Sequence, residues 1–321
     1  SYNTESPTAN TILNSYDKSI LEPTSYREYM EQDSKAFYLT IRAFGEHDLE
    51  QALQHARQAA ALEPNSLVFT HAVTYLERVL AIGNQSVYTS GEAFSAFIRG
   101  GGNIPLYEQT STALRNVYQQ YEKLSLLDIG VGDGMALLPA LTGNICQLDL
   151  LEPSSVMLDK TCDILDKRSI PYQASCSTLQ EFIKKSSKSW DLIQTTYCLQ
   201  SIAPEERLTV FAWIRQHGKR LLMTVFDVPE FSGPYAPDRI RYIIEHYEEG
   251  LAEYPDDEGF VAQEFLMPVM FGNFEQPAER THYEQPLQAW IKELGLADFK
   301  AVTTQRLYSY WWAPAYFIDA R

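Results

Sequence analysis

Basic residues and cysteines are both scarce in this sequence. Lysine and arginine number 26 against 42 aspartates and glutamates, which gives a formal net charge of −16. Because proteins that bind a phosphate backbone or an anionic lipid surface need a basic footprint, we expect neither nucleic acid nor a membrane as a partner. The four cysteines form no C-x-x-C pair, so we expect no metal site and a reduced, cytoplasmic protein.

Long hydrophobic runs are absent as well. No apolar stretch approaches the roughly 18 residues that a transmembrane helix needs. The polar N-terminal segment lacks the pattern of a signal peptide. Hydrophobic residues nevertheless make up 45% of the 321 residues, which supports a folded core and argues against wholesale disorder. The length allows two domains, or one large domain with a cap.

A glycine-rich turn follows the strongest strand signal in the chain. The apolar run Leu124–Ile129 predicts a buried parallel strand, and Gly130, Gly132 and Gly134 follow it. Apolar residues from 135 to 141 then predict a helix. This order opens the nucleotide-binding sheet of doubly wound proteins. Glycines let the main chain approach a ligand closely, and amides at the helix start face that ligand.

The spacing of the glycines distinguishes two classes of cofactor. In the dinucleotide fingerprint G-x-G-x-x-G/A, the third small residue allows close packing of helix and strand. Met135 occupies that position here and is too large for it. The sequence Asp128-x-Gly130-x-Gly132-x-Gly134 instead resembles motif I of the class I S-adenosylmethionine (SAM)-dependent methyltransferases.

An acidic residue ends the second predicted strand. The segment Ile145–Leu151 reads as that strand, and Glu152 follows it roughly 20 residues after the glycine-rich turn. A carboxylate only accepts hydrogen bonds, so it suits both hydroxyls of a ribose. The family's ribose-binding acid holds this position, and the resemblance carries that role to Glu152. A solvated charge at the strand end is the alternative.

The resemblance runs from about residue 106 to the C terminus and implies the fold class. It implies an α/β, doubly wound, Rossmann-like sheet of seven strands with one antiparallel strand, SAM as cofactor and S-adenosylhomocysteine (SAH) as product. Beyond the first two strands, the sequence predicts strands at 169–174, 190–197, 220–226, 300–310 and 313–320.

The resemblance also implies cofactor contacts. The segment before motif I often lies over the methionine end of SAM in this family, which makes Tyr107 and Thr110 candidates. Many relatives place an aspartate after strand three that accepts from the adenine amino group. This chain has Ser175 there instead, so adenine recognition stays open. The expected contacts are Tyr107, Thr110, Asp128, Gly130, Gly132, Gly134, Glu152, Pro153, Ser175, Thr196 and Leu199.

The chain divides into two expected domains. Residues 1–103 read as a helical N-terminal cap, and residues 104–321 as the SAM-binding domain. Apolar residues at helical spacing predict helices at 25–44, 48–62, 66–83 and 106–121. Three successive glycines, Gly100–Gly102, predict a flexible junction before the last of these helices.

An insertion at about 229–285 separates the fifth strand from the last helix, and it is rich in aromatic and acidic residues. A helix is predicted at 237–251. Long insertions are usually functional. Carboxylates and aromatic faces both attract cations, which suggests a positively charged small substrate. Alternatively, these acids solvate a surface lid.

Methyl transfer to oxygen or to a protonated nitrogen also requires a proton acceptor. The candidates are His246, His282, Tyr283 and Glu284, and histidine has the best-matched unperturbed pKa. A solvated helix face is the competing interpretation for His246. The remaining histidines fall on predicted helices away from the pocket.

These observations together predict a cytoplasmic class I SAM-dependent methyltransferase. Its acceptor is expected to be a small molecule with an N or O nucleophile, cationic or aromatic in character, and the oligomeric state stays open between monomer and homodimer. One alternative is a catalytically silent binding or regulatory module on the same fold, as in the plant GRAS regulators. A dinucleotide-dependent oxidoreductase is the other alternative, and Met135 disfavours it.

Overall fold

A computed structural model describes residues 32–82, 91–255, 258–274 and 282–321. Within these ranges the helices are α1 (Gln32–Gly45), α2 (Leu49–Leu62), α3 (Leu67–Ile82), α4 (Gly91–Ile98), α5 (Asn103–Tyr118), α6 (Leu137–Ala140), α7 (Ser155–Lys167), α8 (Leu179–Lys185), α9 (Pro204–His217), α10 (Pro237–Ala252), α11 (Met267–Gly272) and α12 (Leu287–Leu296). The strands are β1 (Leu124–Ile129), β2 (Ile145–Leu151), β3 (Gln173–Ser175), β4 (Leu192–Thr196), β5 (Leu221–Phe226), β6 (Val302–Ser309) and β7 (Pro314–Ala320).

The seven strands form one sheet in the order β3-β2-β1-β4-β5-β7-β6. Strands β1 to β5 pair in parallel, and β7 runs antiparallel to both β5 and β6. Apolar clusters cover both faces of the sheet, one beneath α8, α9 and α12 and the other beneath α5, α6 and α7. The predicted fold class, a doubly wound Rossmann-like sheet with one antiparallel strand, is confirmed.

The central strands follow from their sequence. Strand β1 reads Leu-Ser-Leu-Leu-Asp-Ile and is buried along almost its whole length, as expected for a parallel strand covered on both faces. Several predicted boundaries were wrong, and two elements are much shorter than predicted. Strand β3 begins at Gln173 rather than 169, because Ser169 has a φ of +55° and Pro171 lacks an N–H for the ladder. Helix α6 spans only Leu137–Ala140.

The N-terminal helices and the insertion pack together. Helices α1 to α4 share one apolar cluster with α10, α11 and the π-helical segment Ala262–Leu266, and we call this unit the helical lobe. Phe271 of the insertion is fully buried at its centre, with ring centroids 4.7 Å from Phe44 and 5.0 Å from Tyr75. Because burying one such side chain contributes about 1.5–3 kcal/mol, the insertion is part of the core of this lobe.

A carboxylate from the insertion caps α3. Glu248 on α10 accepts hydrogen bonds from the main-chain N–H groups of Leu67 and Val68, at 2.6 and 3.0 Å, and from the Ser66 hydroxyl at 3.0 Å. A negative charge at a helix N-terminus satisfies free amides and the helix dipole together. This explains why one acid of the insertion is not at a solvated surface.

The three glycines Gly100–Gly102 form a close contact, not the flexible junction that the sequence predicted. A Cβ on Gly100 would lie 2.8 Å from the Tyr254 ring, and a Cβ on Gly102 would lie 2.8 Å from the Glu253 carboxylate. The N–H of Gly102 donates to that carboxylate at 2.8 Å. Small residues are therefore required here because the end of α10 approaches the main chain closely.

Two further expectations concern the surface. Cys146 lies on β2 as predicted but is exposed, because the first residues of that strand extend beyond the apolar layer. Among the described helices, none has the length and hydropathy to cross a lipid bilayer. Residues 25–31 and 83 of the predicted helices lie outside the described ranges, as do residues 256–257 and 275–281 of the predicted insertion.

Candidate functional site

The glycine-rich turn lies at the carboxyl edge of the sheet. The N–H of Gly130 donates to the carbonyl of Leu151 at the end of β2, at 2.8 Å. Gly130, Gly132 and Gly134 have φ angles of +69°, +57° and +80°, in the left-handed region that residues with a Cβ adopt at a cost. In open α/β sheets, ligands bind in the crevice outside this edge.

Gly130 and Gly132 serve different purposes in this turn. A Cβ on Gly130 would come within 2.7 Å of Cys198 Sγ, so that glycine is required by packing beneath the turn. A Cβ on Gly132 would meet only Met157 Cε, at 3.9 Å. The position above Gly132 is therefore open.

Glu152 is held at the rim of the turn. Its Oε2 accepts from the N–H of Gly132 and its Oε1 from the N–H of Ser154, both at 3.0 Å. The N–H of Glu152 itself donates to the carbonyl of Ser175, at 3.2 Å. Because a carboxylate has about four acceptor positions, these two bonds fix its orientation and leave lone pairs for further donors.

Asp128 is a buried acceptor at the end of β1. Its Oδ2 accepts from Gln194 Nε2 at 2.8 Å, and Gln194 Oε1 accepts from the Tyr118 hydroxyl. Its Oδ1 is buried and has no hydrogen-bond partner among the described residues. Because an unmet buried acceptor is costly, this atom indicates a missing donor.

Burial raises the pKa of Asp128 to about 7, and the neighbouring charge of Glu152 raises it too, while the Gln194 bond lowers it. The folded protein therefore binds the proton more tightly than the unfolded chain. The contribution of Asp128 to stability is therefore most favourable at acidic pH and falls as the pH rises from about 4 towards 7, where the buried carboxyl loses its proton.

We expect Asp128→Asn to raise the free energy of unfolding at pH 8 by roughly 2 kcal/mol, because the buried charge is removed while the acceptor for Gln194 is kept. Urea unfolding at pH 5 and pH 8 measures the effect. The wild type should be less stable at pH 8 than the variant, and the difference between the two should be clearly smaller at pH 5. An equal shift at both pH values would contradict the assignment to ionisation.

Tyr197 is a residue that the sequence reasoning missed. It follows β4 with a φ of +49°, a strained conformation for a residue with a Cβ and one that concentrates at functional sites. Its hydroxyl lies 2.9 Å from Thr110 Oγ1, and its ring stacks on Phe226 at 4.8 Å and lies edge-on to Tyr107 at 5.8 Å. The predicted residues Tyr107 and Thr110 thus come together with the end of β4.

The other predicted cofactor contacts lie around the same edge. Thr196 ends β4 and is partly exposed, and Leu199 is buried in the short 3₁₀ helix Leu199–Ser201. Pro153 follows Glu152, and Ser175 ends β3. These residues surround the turn because the carboxyl ends of parallel strands share one edge.

An ion pair joins the helical lobe to the turn. Arg99, just after α4, forms an ion pair with Asp133, the buried acid between Gly132 and Gly134. No local pattern indicates this contact, because the two residues are 34 positions apart in the chain.

The predicted proton acceptors divide into two groups. His246 is half-buried on α10, and its ring stacks on Tyr242 with centroids 3.7 Å apart, so the solvated-face interpretation was wrong. Glu284 accepts from Trp312 Nε1 at 2.9 Å, and Trp312 stands edge-on to the His246 ring at 6.3 Å. His282 is exposed. The structure therefore brings His246 and Glu284 together through Trp312.

Hydrogen bonds of the neighbouring residue Tyr283 hold the segment that carries Glu284. The main-chain N–H of Tyr283 donates to the carbonyl of Gln200 at 2.6 Å, and the carbonyl of Tyr283 accepts from Arg207 at 3.0 Å. Arg207 is fully buried. The anchor places Glu284 beside the loop that follows β4.

The described residues contain no group of three or more histidine, cysteine or acidic side chains that could hold a metal ion.

No family model matches this sequence, and no curated protein does. Similar folds occur among solved structures. The mitomycin 7-O-methyltransferase is 14% identical, with a TM-score of 0.48, over 85% of this chain and 71% of that one. The magnesium protoporphyrin IX methyltransferase of Synechocystis PCC 6803, solved with bound SAM, is 11% identical, with a TM-score of 0.47, over 73% and 92%. A SAM-dependent methyltransferase from Clostridium acetobutylicum ATCC 824 is 10% identical, with a TM-score of 0.45, over 67% and 91%.

Proposed function

We propose that this protein is a class I SAM-dependent methyltransferase that acts on a small molecule. The observation that carries the proposal is the arrangement at the carboxyl edge of the sheet. An open glycine turn, a fixed carboxylate on Glu152 and an unmet buried acceptor on Asp128 lie together there. These groups fit one SAM molecule: the open turn lets it lie against the protein main chain, Glu152 can accept from its ribose hydroxyls, and Asp128 from its ammonium group.

Each part of the site has a stated role in this proposal. Asp128 Oδ1 accepts from the ammonium group, Glu152 accepts from the ribose, and the main chain at Gly132 lies against the cofactor. The remaining contacts are assigned to Tyr107, Thr110, Gly130, Gly134, Pro153, Ser175, Thr196 and Leu199. SAM supplies an electrophilic methyl group when bound. The protein supplies positioning and a water-excluded site.

The acceptor is assigned to the space between the sheet edge and the helical lobe. His246, His282, Tyr283 and Glu284 remain the candidate proton acceptors, with His246 and Glu284 favoured by their shared contact with Trp312. We also propose a domain boundary near residue 103, between the cap and the SAM-binding domain. The insertion at about 229–285 belongs to the SAM-binding domain in sequence and packs against the helices of the cap.

Calorimetric titration of SAM, and separately of SAH, into the purified protein tests this function. We expect micromolar binding of both, and at least a 100-fold loss of affinity in Glu152→Ala, since that variant removes the charged acceptor for two hydroxyls (about 3 kcal/mol). Glu181→Ala, at an exposed position on α8, is the control and should bind normally. A folded protein that binds neither compound, with or without metabolite extract, would favour the silent module.

A further inference from the structure

Three rings form a corner beside the proposed cofactor site. Tyr242 and His246 lie one turn apart on α10 with their rings stacked, and Trp312 stands edge-on to both, at 5.4 and 6.3 Å between centroids. The Tyr242 hydroxyl donates to the Trp312 carbonyl at 2.5 Å. We call Tyr242, His246 and Trp312 the aromatic corner.

Carboxylates surround this corner. Burial raises the pKa of Tyr242, and the charges of Glu284, Asp227 and Glu249 raise it further. Glu284 is held beside the corner by the Trp312 indole N–H, which donates to its Oε1 at 2.9 Å. Asp227, which follows β5, accepts from the N–H of Leu287 at 2.7 Å and is fixed at the start of α12. Aromatic faces and carboxylates together form an environment that attracts a cation.

The hydrogen bonds of His246 determine which ring nitrogen can take a proton. Its Nδ1 lies 2.7 Å from the carbonyl oxygen of Tyr242. Because a carbonyl can only accept, Nδ1 carries the hydrogen, and Nε2 of the neutral ring presents a lone pair. The ring is therefore a proton acceptor at Nε2 in an acidic environment.

Two connections place the corner next to the end of β4. Tyr283, the neighbour of Glu284, bonds to Gln200 in the loop after β4. Phe226, the neighbour of Asp227, stacks on Tyr197. The corner thus adjoins the edge of the sheet at which the methyl donor is proposed to bind.

We propose that the aromatic corner binds the methyl acceptor as a protonated amine and that His246 Nε2 deprotonates it. This inference rests on the proposed function. The ammonium group gives one proton to Nε2, which leaves a neutral amine and an imidazolium. The amine lone pair then forms the new C–N bond as the C–S bond of the sulfonium breaks, and the electron pair of that bond stays on sulfur. The imidazolium returns its proton to solvent.

Paired amines and alcohols of one shape test this proposal. Phenethylamine and 2-phenylethanol, benzylamine and benzyl alcohol, and a wider panel of aliphatic amines with their matched alcohols are titrated into the protein saturated with SAH. We expect at least one amine to bind at least tenfold more tightly than its alcohol, and to be N-methylated when SAM replaces SAH. Preferential binding of alcohols, or binding of no amine in the panel while SAH binds, would overturn it.

Two conservative variants separate charge from proton transfer. Glu284→Gln keeps an acceptor for Trp312 and should weaken amine binding at least tenfold without changing SAH affinity. His246→Asn keeps a donor for the Tyr242 carbonyl and should lower kcat while leaving amine affinity intact. Glu245→Gln, exposed on the same helix, is the control. Unchanged amine affinity in Glu284→Gln would refute the role of the Glu284 charge in amine binding. A wild-type protein that does not bind SAH would instead refute the proposed function itself.

Discussion

Replacing Arg207 by lysine should lower the free energy of unfolding by about 3–5 kcal/mol, because several buried acceptors lose their donors and each such group costs roughly 1–3 kcal/mol. The Arg207 side chain is fully buried, and its guanidinium lies 4.2 Å over the ring of Trp290. Lysine keeps the charge but has only three donors and no planar face.

All five N–H groups of Arg207 are engaged. Nε donates to Glu293 Oε2 at 3.0 Å, and Nη2 donates to Glu293 Oε1 at 2.9 Å. The other donors reach the carbonyls of Ile202 and Tyr283 and the side chain of Gln285, at 3.2, 3.0 and 2.8 Å. A lysine would leave several of these acceptors unmet in a dry site, which is the main source of the expected loss.

Urea unfolding measures the change, and Arg215→Lys is the matched control. Arg215 lies on the same helix, is partly exposed and makes one bond, to the carbonyl of Asp298, so its loss should stay within about 0.5 kcal/mol. A loss below about 1 kcal/mol in Arg207→Lys would contradict the assignment of a buried ion pair. The same variant should weaken the positioning of Glu284, because Arg207 holds the Tyr283 carbonyl.

Gly132→Val should abolish detectable binding of SAM and SAH while the protein stays folded. The φ of +57° is strained for a β-branched residue, and the new side chain would enter the open space above the turn. Either effect removes the close approach of the main chain to the cofactor. We expect at least a 100-fold loss of affinity, about 2.7 kcal/mol.

Calorimetry on the variant, with circular dichroism as a check of folding, tests this expectation. Gly143→Val is the control, because Gly143 has no neighbouring atom within 4 Å of a Cβ position and lies outside the turn. It should bind SAM as the wild type does. Wild-type affinity in Gly132→Val would show that the cofactor does not lie above this turn.

The sequence by itself determined the parts of this protein that depend on local pattern. Apolar residues identify β1 and the second half of β2, because the central parts of parallel strands are buried on both faces. Glycines at 130, 132 and 134 identify the turn because only left-handed backbone closes it. Glu152 was singled out as a candidate binding residue because it directly follows the second predicted strand. The sheet of seven strands with one antiparallel strand followed from the resemblance that these motifs carry, whereas the order of the strands came from the structure.

Only the tertiary structure decided which distant residues meet. Gln194 donates to Asp128 Oδ2, whereas Oδ1 has no partner among the described residues, and no local pattern shows this difference. The insertion packs with the N-terminal helices because both carry apolar faces, which are buried in one shared cluster. The His246 ring is half-buried and lies edge-on to Trp312, which is 66 residues away in sequence. Such contacts depend on the packing of whole elements, whereas strand and turn signals depend on neighbouring residues alone.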